Sequence, residues 1–298
     1  MADNENMESF LDEEFLRKLE KLKILAQRGR KGPTKGEHIS WRSGASLEFL
    51  DYRKYQVGDD FRYIDWNVYG RLDKLFLKLF RAEEDLNVHI LIDTSRSMGT
   101  GNPLKDIYAK KIAAALSYIG LANLDRVGIT SFSDSLGETQ LPEKGRSVYF
   151  NLLKYLNSLR PAGRTDFNGC LTEYASITKR PGMAIILSDL LDPDGIDKGL
   201  EALRYKRFDI TLLQIFDREE LLPSLNGYLT LREVETGETK KITLNEPLLE
   251  LYREKIRGFL GDIRDLCLLN GVDYYLVDTG LSFEDFLFDY LTTTTVFH

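Results

Sequence analysis

At 298 residues, 43% hydrophobic and 29% charged with a net charge of −7, the chain has the make-up of a soluble protein of one large domain or two smaller ones. No run approaches the roughly 20 apolar residues that span a bilayer, and the acidic balance argues against general nucleic-acid binding. Cys170 and Cys267 are too few for a disulfide framework, and the acidic start "MADNENMESF" lacks the basic and apolar regions of a signal peptide, so a reducing cytoplasm is the expected compartment.

Residues 1–15 carry six acidic side chains and no basic one, whereas residues 16–36 carry eight basic and one acidic. Leu11, Phe15, Leu19, Leu22 and Ala26 recur at spacings of three and four, which predicts a helix with one apolar stripe. "GRKGPTKG" then supplies the stop signals of a linker. The basic stretch reads first as a solvated face and second as a contact for an acidic partner or an anionic membrane surface.

Residues 37–85 form the next division, dense in aromatics interleaved with Arg and Asp. "KLFLKLF" predicts a strand there. The expected product is a small cap packed on the main domain, with Arg53, Asp59, Arg62 and Asp65 pairing around Trp66. A docking or sensing role for those four charges is the alternative.

From residue 86 to the end, short apolar strands alternate with helical periods. "NVHILID" is a strand, and "PLKDIYAKKIAAALSYIGLANL" is a helix opened by Pro103. Strand "RVGITSFS", helices "GRSVYFNLLKYLNSL" and "DFNGCLTEYASIT", and strand "MAIILSDLL" follow. Helix "GIDKGLEALRYKR", strand "FDITLLQIFD", strand "VDYYLVDTG" and helix "SFEDFLFDYL" complete the order. The expected fold is α/β, a doubly wound and mainly parallel sheet covered on both faces. "YLTLREVETGETKKITL" breaks the rhythm and predicts a β-hairpin inserted at 228–244.

Ligands of open α/β sheets bind outside the carboxyl ends of the strands. Asp93 ends the first core strand, Ser95 and Ser97 lie in the loop after it, Asp189 ends "MAIILSD", and Thr165 stands in "AGRTDFNG" before a helix. Two carboxylates and three hydroxyls make an oxygen-only set, suited to Mg²⁺ or Mn²⁺ rather than zinc. So few carboxylates leave such an ion with positive charge to attract an external one. Taken singly, each residue also has a structural reading: Ser95 or Ser97 as a helix cap, Thr165 or Asp166 as the next cap, and Asp189 in the turn "SDLLDPDG". His89, alternating within its strand, reads as a packing residue.

The set "DTSRS", the Thr of "GRTD" and the Asp of "LSD" resembles the metal-ion-dependent adhesion site of von Willebrand factor A-type domains. The similarity runs over about residues 86–291. Upstream, "RKYQVGDDFRYIDW" and "GRLDKLFLKLFRAEED" resemble a bacterial domain-of-unknown-function family, numbered fifty-eight, often associated with MoxR-type AAA+ ATPases. The resemblance implies a Rossmann-like fold and a bound Mg²⁺. It further implies Ser95, Ser97 and Thr165 as ligands, with Asp93 and Asp189 direct or through water. A partner's acidic side chain would complete the octahedron, and the implied role is an adaptor or substrate-recognition partner of such an ATPase.

The competing expectation is a metal-dependent, phosphatase-like hydrolase using Asp93. Such enzymes place a second acid two residues after the nucleophile, where this chain has Ser95. Neither a P-loop nor a G-x-S-x-G elbow occurs, so the binding module is the stronger expectation.

Overall fold

The computed structural model describes residues 47–57, 59–82, 86–223, 227–232 and 239–293. The N-terminal helix and basic linker expected at 1–36 lie outside the described residues, as does most of the "ETGET" turn. The chain divides into two compact units, one comprising Gly32–Asp85 and the other containing Leu86–His298.

In the smaller unit, β1 (Leu47–Lys54) pairs antiparallel with β2 (Phe76–Ala82), and a 3₁₀ turn (Phe61–Tyr63) and helix α1 (Trp66–Leu72) lie between them. Asp65 organises this unit. Its Oδ1 caps α1 by accepting from Asn67 N (2.9 Å) and Val68 N (3.3 Å), while its Oδ2 accepts from Tyr52 (2.9 Å) and Lys78 (3.1 Å). Arg53 pairs with Asp59 at 2.8 Å, and Arg62 pairs with Asp60. The charges therefore pair, but Trp66 is not their buried hub. It is 61% exposed and meets Tyr69 edge-on. The short polar Asp65 takes the inside position because α1 starts there and needs a cap.

In the larger unit, the strands are β3 (Asn87–Asp93), β4 (Arg126–Phe132), β5 (Leu136–Glu143), β6 (Met183–Ser188), β7 (Asp209–Phe216) and β10 (Asp273–Asp278). Their order across the sheet is β10-β7-β6-β3-β4-β5, parallel throughout except for the β4–β5 edge. Parallel strands buried on both faces read as continuous apolar runs, which is why "NVHILID" and "MAIILS" were legible. Successive residues of one strand serve opposite cores. Val88, Ile90 and Ile92 face helices α2 (Lys105–Ala122), α3 (Arg146–Ser158) and α8 (Phe283–Thr293), while Leu91 faces α4 (Phe167–Ile177), α5 (Asp197–Tyr205) and α7 (Glu246–Asn270). The sheet is doubly wound.

Three elements differ from the sequence reading. Pro103 does not open α2; Leu104 is its N-cap, and the helix starts at Lys105. β5, a half-exposed edge strand, and α7, a helix of 25 residues, had no counterpart in that reading. Between the short α6 (Arg218–Leu221) and α7 stands the expected hairpin, β8 (Gly227–Arg232) against β9 (Thr239–Leu244), with Leu229 opposite Ile242. Among the described residues, no helix is long and apolar enough to cross a membrane.

The chain leaves β3 toward β4 on one side and returns to β6 on the other. The carboxyl ends of β3 and β6 are therefore the topological switch point, where connections diverge and leave a crevice.

Candidate metal centre

Asp93 closes β3 with its side chain fully buried. Its Oδ1 accepts from Ser95 N at 2.8 Å, which turns the chain sharply, and its Oδ2 accepts from Ser188 Oγ at 2.6 Å. Ser95 precedes the 3₁₀ helix Arg96–Gly99 but makes no side-chain cap; its Oγ lies 3.0 Å from Ser97 Oγ instead. The capping alternative thus fails for Ser95. Both serines are buried.

The loop before α4 is laced onto this one and onto the turn after β4. Ala162 N donates to Thr94 O (2.7 Å), Arg96 N to Gly163 O (3.2 Å) and Asp166 N to Ser133 O (2.8 Å). Gly163 makes the approach possible, since its φ of +77° favours glycine and a Cβ there would stand 3.0 Å from Asp134 Oδ2. Asp166, not Thr165, caps α4 by accepting from Gly169 N at 2.8 Å. Thr165 is left with a buried Oγ1 that has no hydrogen-bond partner among the described residues. Such a group normally finds one.

Asp189 follows β6 and is fully buried. Its Oδ1 accepts from Leu191 N at 3.2 Å, so the turn role expected for it is real, and its Oδ2 accepts from Lys105 Nζ at 2.9 Å. Leu190, held between them, adopts a left-handed φ of 59°, an uncommon state for a leucine. Ser188 Oγ steadies it by accepting from Leu190 N at 2.9 Å.

Burial first and the Asp189 charge second push the Asp93 carboxyl up to about 7, opposed by the hydrogen bonds from Ser188 and Ser95. Of these two buried carboxylates Lys105 pairs with Asp189, and a cation would relieve the other. Among the described residues, no group of three or more His, Cys, Asp or Glu side chains could hold a metal. Any ion here would accordingly rest on hydroxyls with at most two carboxylates, a hard-donor set. The lone Thr165 hydroxyl and the Ser95–Ser97 pair fit that requirement.

Sequence reasoning missed two participants. Ser188 stands in the "LSD" already quoted, and its place one residue before a strand-end aspartate was the available signal. Lys105 gave none, because a lysine in the first turn of a helix ordinarily reads as solvated.

The model of the family described as "Protein of unknown function DUF58" matches residues 51–257. "Uncharacterized protein Rv1480" of Mycobacterium tuberculosis (strain ATCC 25618 / H37Rv) is 25% identical over 252 residues, 82% of this chain and 78% of the relative. "Uncharacterized protein Mb1516" of Mycobacterium bovis matches to the same extent, 25% over 252 residues. Among solved structures, a "conserved hypothetical protein BatB" from Bacteroides thetaiotaomicron is 20% identical with a TM-score of 0.44, covering 70% of this chain and 100% of that one. A "von Willebrand factor type A" structure from Catenulispora acidiphila is 12% identical with a TM-score of 0.42, covering 73% of this chain and 43% of that one.

Proposed function

This chain belongs to the DUF58 family, and from that premise we propose that it is a divalent-metal-dependent protein-interaction module. Its ligand is an acidic side chain of another protein, and the expected partner is a MoxR-type AAA+ ATPase or a protein delivered to one. The observation that carries the proposal is the buried Thr165 hydroxyl without a partner among the described residues, in a loop whose backbone is bonded to the loop of a serine pair with hydroxyls 3.0 Å apart.

Ser95, Ser97 and Thr165 would hold Mg²⁺, or Mn²⁺, by neutral oxygens, with Asp93 and Asp189 supplying the negative charge. When bound, the ion supplies an electrophilic position for one external carboxylate oxygen. Asp93 is aimed by Ser188 and by Ser95 N, so it is oriented before any ion arrives. With both oxygens engaged by protein donors, it is poorly disposed as a nucleophile. Any ATP hydrolysis in the complex belongs to the partner chain, since this one carries no P-loop.

The test is equilibrium binding of the full chain to a purified MoxR-type AAA+ ATPase of the same organism, in Mg²⁺ and in EDTA, for wild type and Ser97→Ala. Binding that needs Mg²⁺ and weakens at least tenfold in the variant, about 1.4 kcal/mol, supports the module. EDTA-indifferent binding, together with phosphoester hydrolysis by the isolated chain that Asp93→Asn abolishes, replaces it with the hydrolase.

A further inference from the structure

Lys105 is 0% exposed although it sits in the first turn of α2. Its Nζ donates to Asp189 Oδ2 (2.9 Å) and to Glu220 Oε1 (2.8 Å) and Oε2 (3.2 Å), and it lies 5.9 Å from the centre of the Phe216 ring. Burying an ammonium costs several kcal/mol even after relaxation, and an aliphatic side chain would fill the same space without that cost. The ammonium is held between two carboxylates, and one of them, Asp189, belongs to the candidate metal set.

Both oxygens of Asp189 are thereby committed, Oδ2 to Lys105 and Oδ1 to Leu191 N. Among the described residues no cation pairs with Asp93; its donors come from Ser95 and Ser188. The two aspartates, alike in sequence, are thus unlike in the fold.

We propose that Lys105 is a positioning residue of the metal site, holding and neutralising Asp189 so that Asp93 is the carboxylate whose charge is left for the ion. The inference rests on the metal-dependent reading above. Lys105 offsets the charge of Asp189, with Glu220 sharing the ammonium from its partly exposed side. An ion at the site would then keep more of its own charge for an external carboxylate. Glu220, at 28% side-chain exposure, anchors the far side of the ammonium and links α6 to the same contact.

A double-mutant cycle with Mn²⁺ as the probe tests this, reading free ion by electron paramagnetic resonance on the full chain. Lys105→Met should tighten Mn²⁺ binding about tenfold, the effect of about 1.4 kcal/mol from one released carboxylate. In the Asp189→Asn background the same substitution should change affinity less than about twofold, because the effect passes through Asp189. An equal gain in both backgrounds, or no gain, overturns the positioning role. Should Lys105→Met fail to fold in a thermal melt, Glu220→Gln carries the cycle in the opposite direction. It leaves Lys105 wholly to Asp189 and should weaken Mn²⁺ binding in the wild-type background only. A wild type that takes up no Mn²⁺ in a Ser97-dependent way overturns the metal reading itself, and the positioning role with it.

Discussion

Ser188 Oγ donates to Asp93 Oδ2 at 2.6 Å, and neither side chain has any solvent exposure. The bond ties the carboxyl end of β6 to that of β3 across the switch point, and with the bonds from Ser95 it keeps a buried carboxylate tolerable. Hydrogen bonds to charged groups contribute about 1.5–3 kcal/mol. Ser188→Ala should destabilise the metal-free protein by that amount at pH 8.5, where Asp93 is ionised. At pH 5 the carboxyl is protonated and the loss should be markedly smaller. Urea unfolding at the two pH values checks this; an equal loss at both would show that Ser188 acts only through its bond from Leu190.

His89 and Asp93 share β3 and have opposite pH linkages. His89 Nε2 lies 3.0 Å from Arg180 O, which can only accept, so that nitrogen carries the proton and Nδ1 accepts from Tyr174 at 2.7 Å. Burial lowers its pKa to about 4. Below about 6.5 the unfolded histidine takes a proton that the folded one refuses, so its contribution is lost as pH falls from about 6.5 to 4. Asp93, raised to about 7, runs the other way. Between about 4 and 7 the unfolded aspartate is ionised while the folded one keeps its proton, so stability falls as pH rises through that window. Each term is on the order of 3–4 kcal/mol, and they offset each other between about 4 and 6.5. In EDTA, His89→Gln should show stability falling with pH over this range, and Asp93→Asn should show it rising. Urea midpoints at four pH values give the two slopes; slopes of the same sign would contradict the account.

Gly128 in β4 faces the edge strand so closely that a Cβ would meet Gln140 O and stand 2.6 Å from Pro142 N, both backbone atoms. Backbone cannot swing aside as a side chain can. Gly128→Ala should therefore cost about 1–3 kcal/mol, measured by urea unfolding, and should release β5 first. Amide hydrogen exchange would show faster exchange in β5 than in β6; uniform loss of protection would mean that β5 and the core open as one.

The legibility of this chain followed burial. β3 and β6 were plain because both faces are covered, so their residues are almost all apolar until the aspartates that end them. β5 was not, because an edge strand can be built from "LGETQLPE", which holds a proline and whose residues are all half-buried or exposed with no regular alternation. α7 did carry its signals, Asn245 as N-cap, a proline in the first turn and Gly271 at the left-handed end, and they went unread beside the hairpin. The candidate site was visible as far as its oxygens at strand ends. Its supporting residues were hidden for a physical reason: Lys105 contradicts the usual placement of lysine, and its meaning arises only when Asp189 and Glu220, 84 and 115 positions away, close around it.

Thr165 gives a prediction with opposite signs in two conditions. Its hydroxyl is buried without a hydrogen-bond partner among the described residues, a state that costs about 1–3 kcal/mol. Valine keeps the shape and removes the polar atom. In EDTA, Thr165→Val should therefore be as stable as wild type or more so, by up to about 1 kcal/mol net of repacking. With Mg²⁺ at 100 times its dissociation constant, wild type should gain about 2.7 kcal/mol. The variant, short of one oxygen ligand, should gain far less. The two melting curves should thus exchange order between EDTA and Mg²⁺. A variant less stable than wild type in EDTA would mean that the hydroxyl is needed by the fold itself, and an undiminished response to Mg²⁺ would remove Thr165 from the ligand set.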